Sequence, residues 1–165
     1  MSGTDLLSWI PVPVFLYLIY TDLRYLRIPN RALFVLFCAL ALAHLPTLAP
    51  ADIPLRLVGA AAVFALAFAA FYTGMLGGGD VKMISVVMLF VPLQDIAAFA
   101  LALSVSVILS LSVIKILRRS RSVKALQWRA FNDAKRLPLG PAIAISSMIY
   151  GPLGDFAISK LGAGG

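Results

Sequence analysis

Residues 96–117 read IAAFALALSVSVILSLSVIKIL, twenty-two positions with a single charge, Lys115, near the end. As a helix that run rises about 33 Å, enough to cross the roughly 30 Å hydrocarbon core of a bilayer. The rest of the chain agrees. Of its 165 residues 61% are hydrophobic and 13% are charged, with a mean hydropathy of +0.97. Soluble chains run at about 45–50% apolar and about 25% charged, so a soluble domain of this length could not hide so much apolar surface. The natural solvent of this chain is lipid, and its length leaves no room for a sizeable soluble domain.

Working outward from that run, five further segments approach the roughly 17–25 residues a spanning helix needs. They cover about residues 5–22, 31–47, 55–75, 81–94 and 138–161. The fourth is short, and the glycines of residues 75–79 in front of it suggest an irregular stretch dipping toward the membrane. Such backbone is tolerated at depth only where protein buries it or it lines water. The N-terminal run has no basic residue before Arg24 and no small-residue cleavage pattern, so it reads as a retained first span rather than a removed signal.

Fourteen basic and seven acidic residues give a net charge of +7. The basic residues sit beside apolar spans, which points to topology and anionic lipid rather than nucleic acid. Arg24, Arg27 and Arg31 follow the first span, Lys82 opens the fourth, and eight more lie in 115–136. The intervening loops 48–54 and 92–95 carry Asp52 and Asp95 and no basic residue. Positive charge stays in the cytoplasm, so both termini are expected outside. Residues about 118–136, RRSRSVKALQWRAFNDAKR, place Val123, Leu126, Ala130 and Ala134, with Leu137 just after, at helical spacing among basic residues. That pattern predicts an amphipathic helix lying on anionic headgroups. The expected fold is therefore all-α: a polytopic membrane bundle of about six transmembrane helices, forming one integral-membrane domain over residues 1–165. An irregular GGGD segment precedes its fourth helix, and the amphipathic cytoplasmic segment precedes its sixth.

All seven acids are aspartates, and an ionisable group at the edge of a span is a functional hypothesis in its own right. Asp22 ends the first span and Asp80 opens the fourth, so the topology puts both at the cytoplasmic level. Singly, Asp22 could serve an ion pair and Asp80 could cap a helix. As a pair they have a definite use. Two adjacent carboxylates cannot both ionise easily and share a proton; the charged member can then take a proton from water while the neutral one bonds a scissile carbonyl. Gly77, Gly78 and Gly79 permit positive φ and close approach of an extended peptide. Lys82 reads as a topology residue that could also tune Asp80. In IPN, residues 28–30, Pro29 biases Ile28 away from helix and Asn30 suits the cap of the second span.

Other chemistries find no foothold. Cys38 is the only cysteine, which excludes an internal disulfide and a thiolate zinc cluster. His44, the only histidine, lies near the opposite end of the second span. The serines of SVSVILSLS, residues 104–112, serve helix packing more readily than nucleophilic attack. No metal or cofactor is expected.

TDLRYLRIPN (residues 21–30) together with GGGDVKM (residues 77–83) resembles the two active-site motifs of the type IV prepilin peptidases, membrane aspartic proteases of the GxGD class. LPLGPAIAIS (residues 137–146) resembles that family's final span. The resemblance implies an aspartic endopeptidase of the bacterial or archaeal-type inner membrane. Such an enzyme cuts prepilin or pseudopilin precursors after a glycine at the cytoplasmic face, between a short basic leader and an apolar helix. Asp22 and Asp80 match the catalytic positions, and Gly77, Gly78, Gly79 and Lys82 fall in the active-site loop. The bifunctional members' N-terminal cytoplasmic domain has no counterpart, so the chain resembles the short peptidases of tight-adherence (Flp) pili, without methyltransferase activity. The competing expectations are a GxGD protease of other membrane helices, a transporter that would show inverted repeats, and a non-catalytic pilus assembly factor.

Overall fold

In a computed structural model, which describes residues 6–44, 46, 48–133 and 137–151, the chain is all-helical with no strand among the described residues. The helices are α1 (Val12–Tyr25), α2 (Asn30–His44), α3 (Ile53–Tyr72), α4 (Gly78–Met88), α5 (Ile96–Leu117), α6 (Arg121–Ala125), α7 (Arg129–Asn132) and α8 (Gly140–Tyr150). Single 3₁₀ turns, Pro50–Asp52 and Leu93–Asp95, lead into α3 and α5.

Taken with those turns, residues 50–72 and 93–117 form two helices long and apolar enough to cross a membrane. Their faces are mostly bare: α3 buries only Gly59, Ala60 and Ala67, while Leu66 on α3 and Leu101 on α5 are 73% and 70% exposed. Exposed leucine over that length is stable in lipid and not in water. The other bundle helices are shorter, 14 residues for α1, 15 for α2 and 11 each for α4 and α8. The part of the expected last span beyond Gly151 lies outside the described residues.

The bundle is centred on α8, which buries Gly140, Pro141, Ala142, Ile143, Ala144, Ser146 and Ser147. It packs against α1, α4 and α5, and α4 in turn packs against α2 and α3. Small residues on α8 let neighbouring backbones approach closely, the usual device where lipid removes any hydrophobic drive between helices. Phe15, Leu18, Leu36, Met83, Val87, Phe99 and Ile143 fill the centre.

The turn after α1 is built as its sequence dictates. Leu26 takes the left-handed conformation at φ 51° and its N–H donates to the Asp22 carbonyl at 2.8 Å. Pro29 then keeps the chain from continuing the helix. Asn30, expected as a cap, is the first residue of α2, and its side-chain oxygen accepts from Lys82 Nζ at 3.0 Å, which ties α2 to α4.

Two local expectations are corrected. The helix after the glycines starts at Gly78, so Gly78, Gly79 and Asp80 form its first turn and only residues 73–77 are irregular. Positive φ is found at Gly74 (78°), which ends α3, and Gly77 is extended at φ −81°. The amphipathic helix over 118–136 is not continuous. It breaks into α6 and α7 at Gln127, which sits at φ 54°. Arg118 enforces the fold-back, donating from Nε to the Ala130 carbonyl and from Nη2 to the Asp133 carbonyl, each at 2.9 Å. Ala130 and Phe131 are thereby buried against the bundle, and Trp128 meets Tyr20 edge-on, while Leu126 and Leu137 stay exposed. Ala134, Lys135 and Arg136 lie outside the described residues.

Candidate active site

Asp22 sits in the last turn of α1 and Asp80 in the first turn of α4, 58 residues apart in the chain. They come together because α1 and α4 run in opposite senses, so the end of one and the start of the other share a level. Both line one cleft of about 490 Å³, together with the turn of residues 26–30 and Gly77, Gly78 and Gly79. Arg27 is the one cationic residue in that lining among the described residues. Although both border the cleft, the carboxylates themselves are nearly sealed: Asp22 is 5% exposed and Asp80 8%.

Each aspartate is held differently. Asp22 Oδ2 accepts the backbone N–H of Gly140, the first residue of α8, at 2.9 Å. Asp80 occupies the third position of its helix and Oδ2 reaches back to the Gly77 N–H at a longer 3.3 Å. Its Oδ1 is buried with no hydrogen-bond partner among the described residues. A buried acceptor without a donor costs about 1–3 kcal/mol and calls for a reason; an oxygen kept for a donor on water or substrate supplies one.

The three glycines have unequal duties. A Cβ at Gly79 would stand 2.9 Å from Ile28 Cβ, and one at Gly77 2.8 Å from Asp80 Oδ2. A Cβ at Gly78 would meet Phe71 Cε2 at an ordinary 3.5 Å. Glycine at 79 therefore lets the GGGD turn approach the 26–30 turn closely, and glycine at 77 leaves room for the Asp80 carboxylate to fold back onto its N–H. Positive φ, the reason expected from the sequence, is not what they supply.

Lys82 is exposed and does not line the cleft; its bond to Asn30 braces the two helices from outside. His44 is at the far end, with Nδ1 beside the Leu40 carbonyl and its ring against Phe90, bordering a cavity of about 50 Å³. Among the described residues no group of three His, Cys, Asp or Glu side chains converges as a metal would require. Arg27 and Gly140 were not singled out by sequence reasoning. Gly140 stands in LPLGP behind a fully buried Pro138, and that small, proline-flanked pattern was the one signal available.

A sequence model of the type IV leader peptidase family matches residues 9–114, well over half of the chain and including both aspartates. The chain belongs to the type IV leader peptidase family. It is accordingly a peptidase, from a family of membrane proteins. No curated protein and no solved structure matches it. The leader peptidase match stops at residue 114, so α8 and its bond to Asp22 come from outside the matched region.

Proposed function

We propose that this leader peptidase is an aspartic endopeptidase that removes the short basic leader from prepilins of the type IV or Flp class. It cuts after a glycine at the cytoplasmic face, with water activated between Asp22 and Asp80. The observation that carries this reading is the shared cleft: two buried carboxylates from distant helices, one with an oxygen that has no hydrogen bond among the described residues.

The chemistry follows from sharing one proton. The charged carboxylate takes a proton from water as the water oxygen attacks the scissile carbonyl carbon. The neutral carboxylic acid donates to the carbonyl oxygen, which becomes the hydroxyl of a tetrahedral intermediate. Collapse of that intermediate breaks the C–N bond, and the proton gained from water passes to the leaving amine. As the new carbonyl forms, a hydroxyl of the intermediate gives its proton back to the second carboxylate, so acid and base end in their starting states. Gly77 and Gly79, kept free of side chains by close contacts, let an extended substrate backbone lie against the cleft wall. The site residues, the single domain over residues 1–165 and the inner-membrane location are all part of this one reading.

The test is co-expression with a panel of prepilins, including a short Flp-type one, followed by mass spectrometry of the pilin N-terminus. Asp22→Asn and Asp80→Asn insert normally and lose cleavage by about 10²–10⁴-fold, the range for removing a positioned acid or base. Asp133→Asn, remote from the cleft, cuts after glycine as wild type does. Cleavage at the wild-type rate by either pair variant sinks the mechanism.

A further inference from the structure

We infer that Gly140, through its backbone N–H, is the positioning residue that fixes Asp22 as the base of the pair and leaves Asp80 as the acid. This rests on the two-aspartate reading above and divides its labour. The bond is buried, 2.9 Å long, and joins residues 118 positions apart. It comes from the first residue of an eleven-residue helix, where free N–H groups and the helix dipole favour a negative partner. Asp80 stands in the first turn of α4 and shares the benefit of a helix N-terminus, but its one bond is longer, 3.3 Å, and its other oxygen has no donor among the described residues. A carboxylate given a short N–H bond keeps the charge of the pair, and its neighbour, with an unbonded oxygen, keeps the proton and has it to give.

The identity of residue 140 follows from the same geometry. A Cβ there would lie 2.7 Å from Asp22 Oδ2 and 3.0 Å from both Asp22 Cβ and Cγ. The neighbour that would have to move is the carboxylate itself, so any side chain displaces Asp22 from the N–H. Pro138, fully buried, and Pro141 flank the glycine and hold the start of α8 against α1. Among the described residues the groups that bear on Asp22 are few. Asp80 comes from α4, Arg27 from the following turn, and Arg129 from α7, which packs on α1 and shares a groove with Thr21 and Arg27. From α8 itself the described residues near Asp22 bring only the amide.

The experiment measures kcat, KM and the pH–rate profile of the full chain in liposomes, using a prepilin the wild type cuts. Gly140→Ala is compared with Gly59→Ala, a matched crowding control on α3 whose Cβ would meet only Leu93 and Ile96 side chains. Gly140→Ala lowers kcat by about 10²-fold, the cost of about 1 Å of misplacement, with KM within about twofold. Its acid limb also moves up by about one pH unit, because a carboxylate stripped of a charge-assisted bond holds its proton longer. Gly59→Ala keeps the wild-type profile. A uniform loss at every pH, or no loss, overturns the positioning role. The pair variants run alongside: if Asp22→Asn or Asp80→Asn still cleaves, the underlying reading falls instead. Should Gly140→Ala fail to fold, the wild type decides by NMR of the Gly140 amide. Its resonance follows pH through titration of the pair and loses that response in Asp22→Asn; a resonance blind to pH overturns the inference.

Discussion

Gly79 and Gly78 are adjacent, identical in type and opposite in consequence. A methyl at Gly79 must displace Ile28 at its Cβ, which is fixed to the backbone of the turn after α1. Overpacking of that kind costs about 1–3 kcal/mol. A methyl at Gly78 enters ordinary contact with Phe71 and relieves the entropy of a glycine inside a helix, worth about 0.5–1 kcal/mol. In thermal unfolding of the detergent-solubilised chain, Gly79→Ala therefore melts below wild type and Gly78→Ala at or above it; equal midpoints would refute the contact. Which glycine matters is invisible in the string GGGD, because the clash partner lies in another turn. The aspartates were legible for the opposite reason. In a chain with seven acids, two expected at the same membrane level stand out by scarcity, whereas the Gly140 amide is a backbone group with no side chain to mark it.

Helix identities were read from hydrophobic runs, and the long ones were found where the apolar stretches are longest, at α3 and α5. Boundaries were harder. A helix opening on two glycines reads as a loop because glycine is a poor helix former, yet the N-terminal turn needs few intrahelical donors and Asp80 satisfies one of them from the third position. The break at Gln127 was illegible because glutamine carries no turn signature. It is imposed from outside, by the Arg118 guanidinium seizing two carbonyls beyond the break. Arg118→Ala should therefore release α6 and α7 from the bundle and raise tryptic cleavage at Arg121 and Arg129 severalfold in membranes. Arg118→Lys should behave nearly like the alanine variant, since one ammonium cannot reproduce a planar two-point grip. Unchanged proteolysis would mean that Phe131 and Ala130 hold the segment without the arginine.

At the scale of the molecule, basic charge and the aspartate cleft lie at the same end. The aspartate cleft opens where α1 ends and α4 begins, beside Arg24, Arg27, Arg31 and Lys82, and α5 reaches that end with Lys115 and Arg118. The opposite end has Asp52 in the turn before α3 and Asp95 before α5; Arg56 there donates to the Phe90 carbonyl at 2.7 Å, and Tyr150 donates to Asp95 at 2.6 Å. Twenty residues of α3 rise about 30 Å between the two ends, the thickness of a bilayer core. If positive charge marks the cytoplasm, the cleft meets its substrate before export, and each end has a sidedness that can be labelled. In a Cys38→Ser background, a membrane-impermeant maleimide added to intact cells should modify Ala51→Cys, exposed in the 3₁₀ turn before α3. Ser120→Cys, exposed just past α5, should react only after the membrane is permeabilised. The reverse pattern would put the two aspartates on the outer face. A leader still in the cytoplasm could not then reach them, and cleavage would have to follow export.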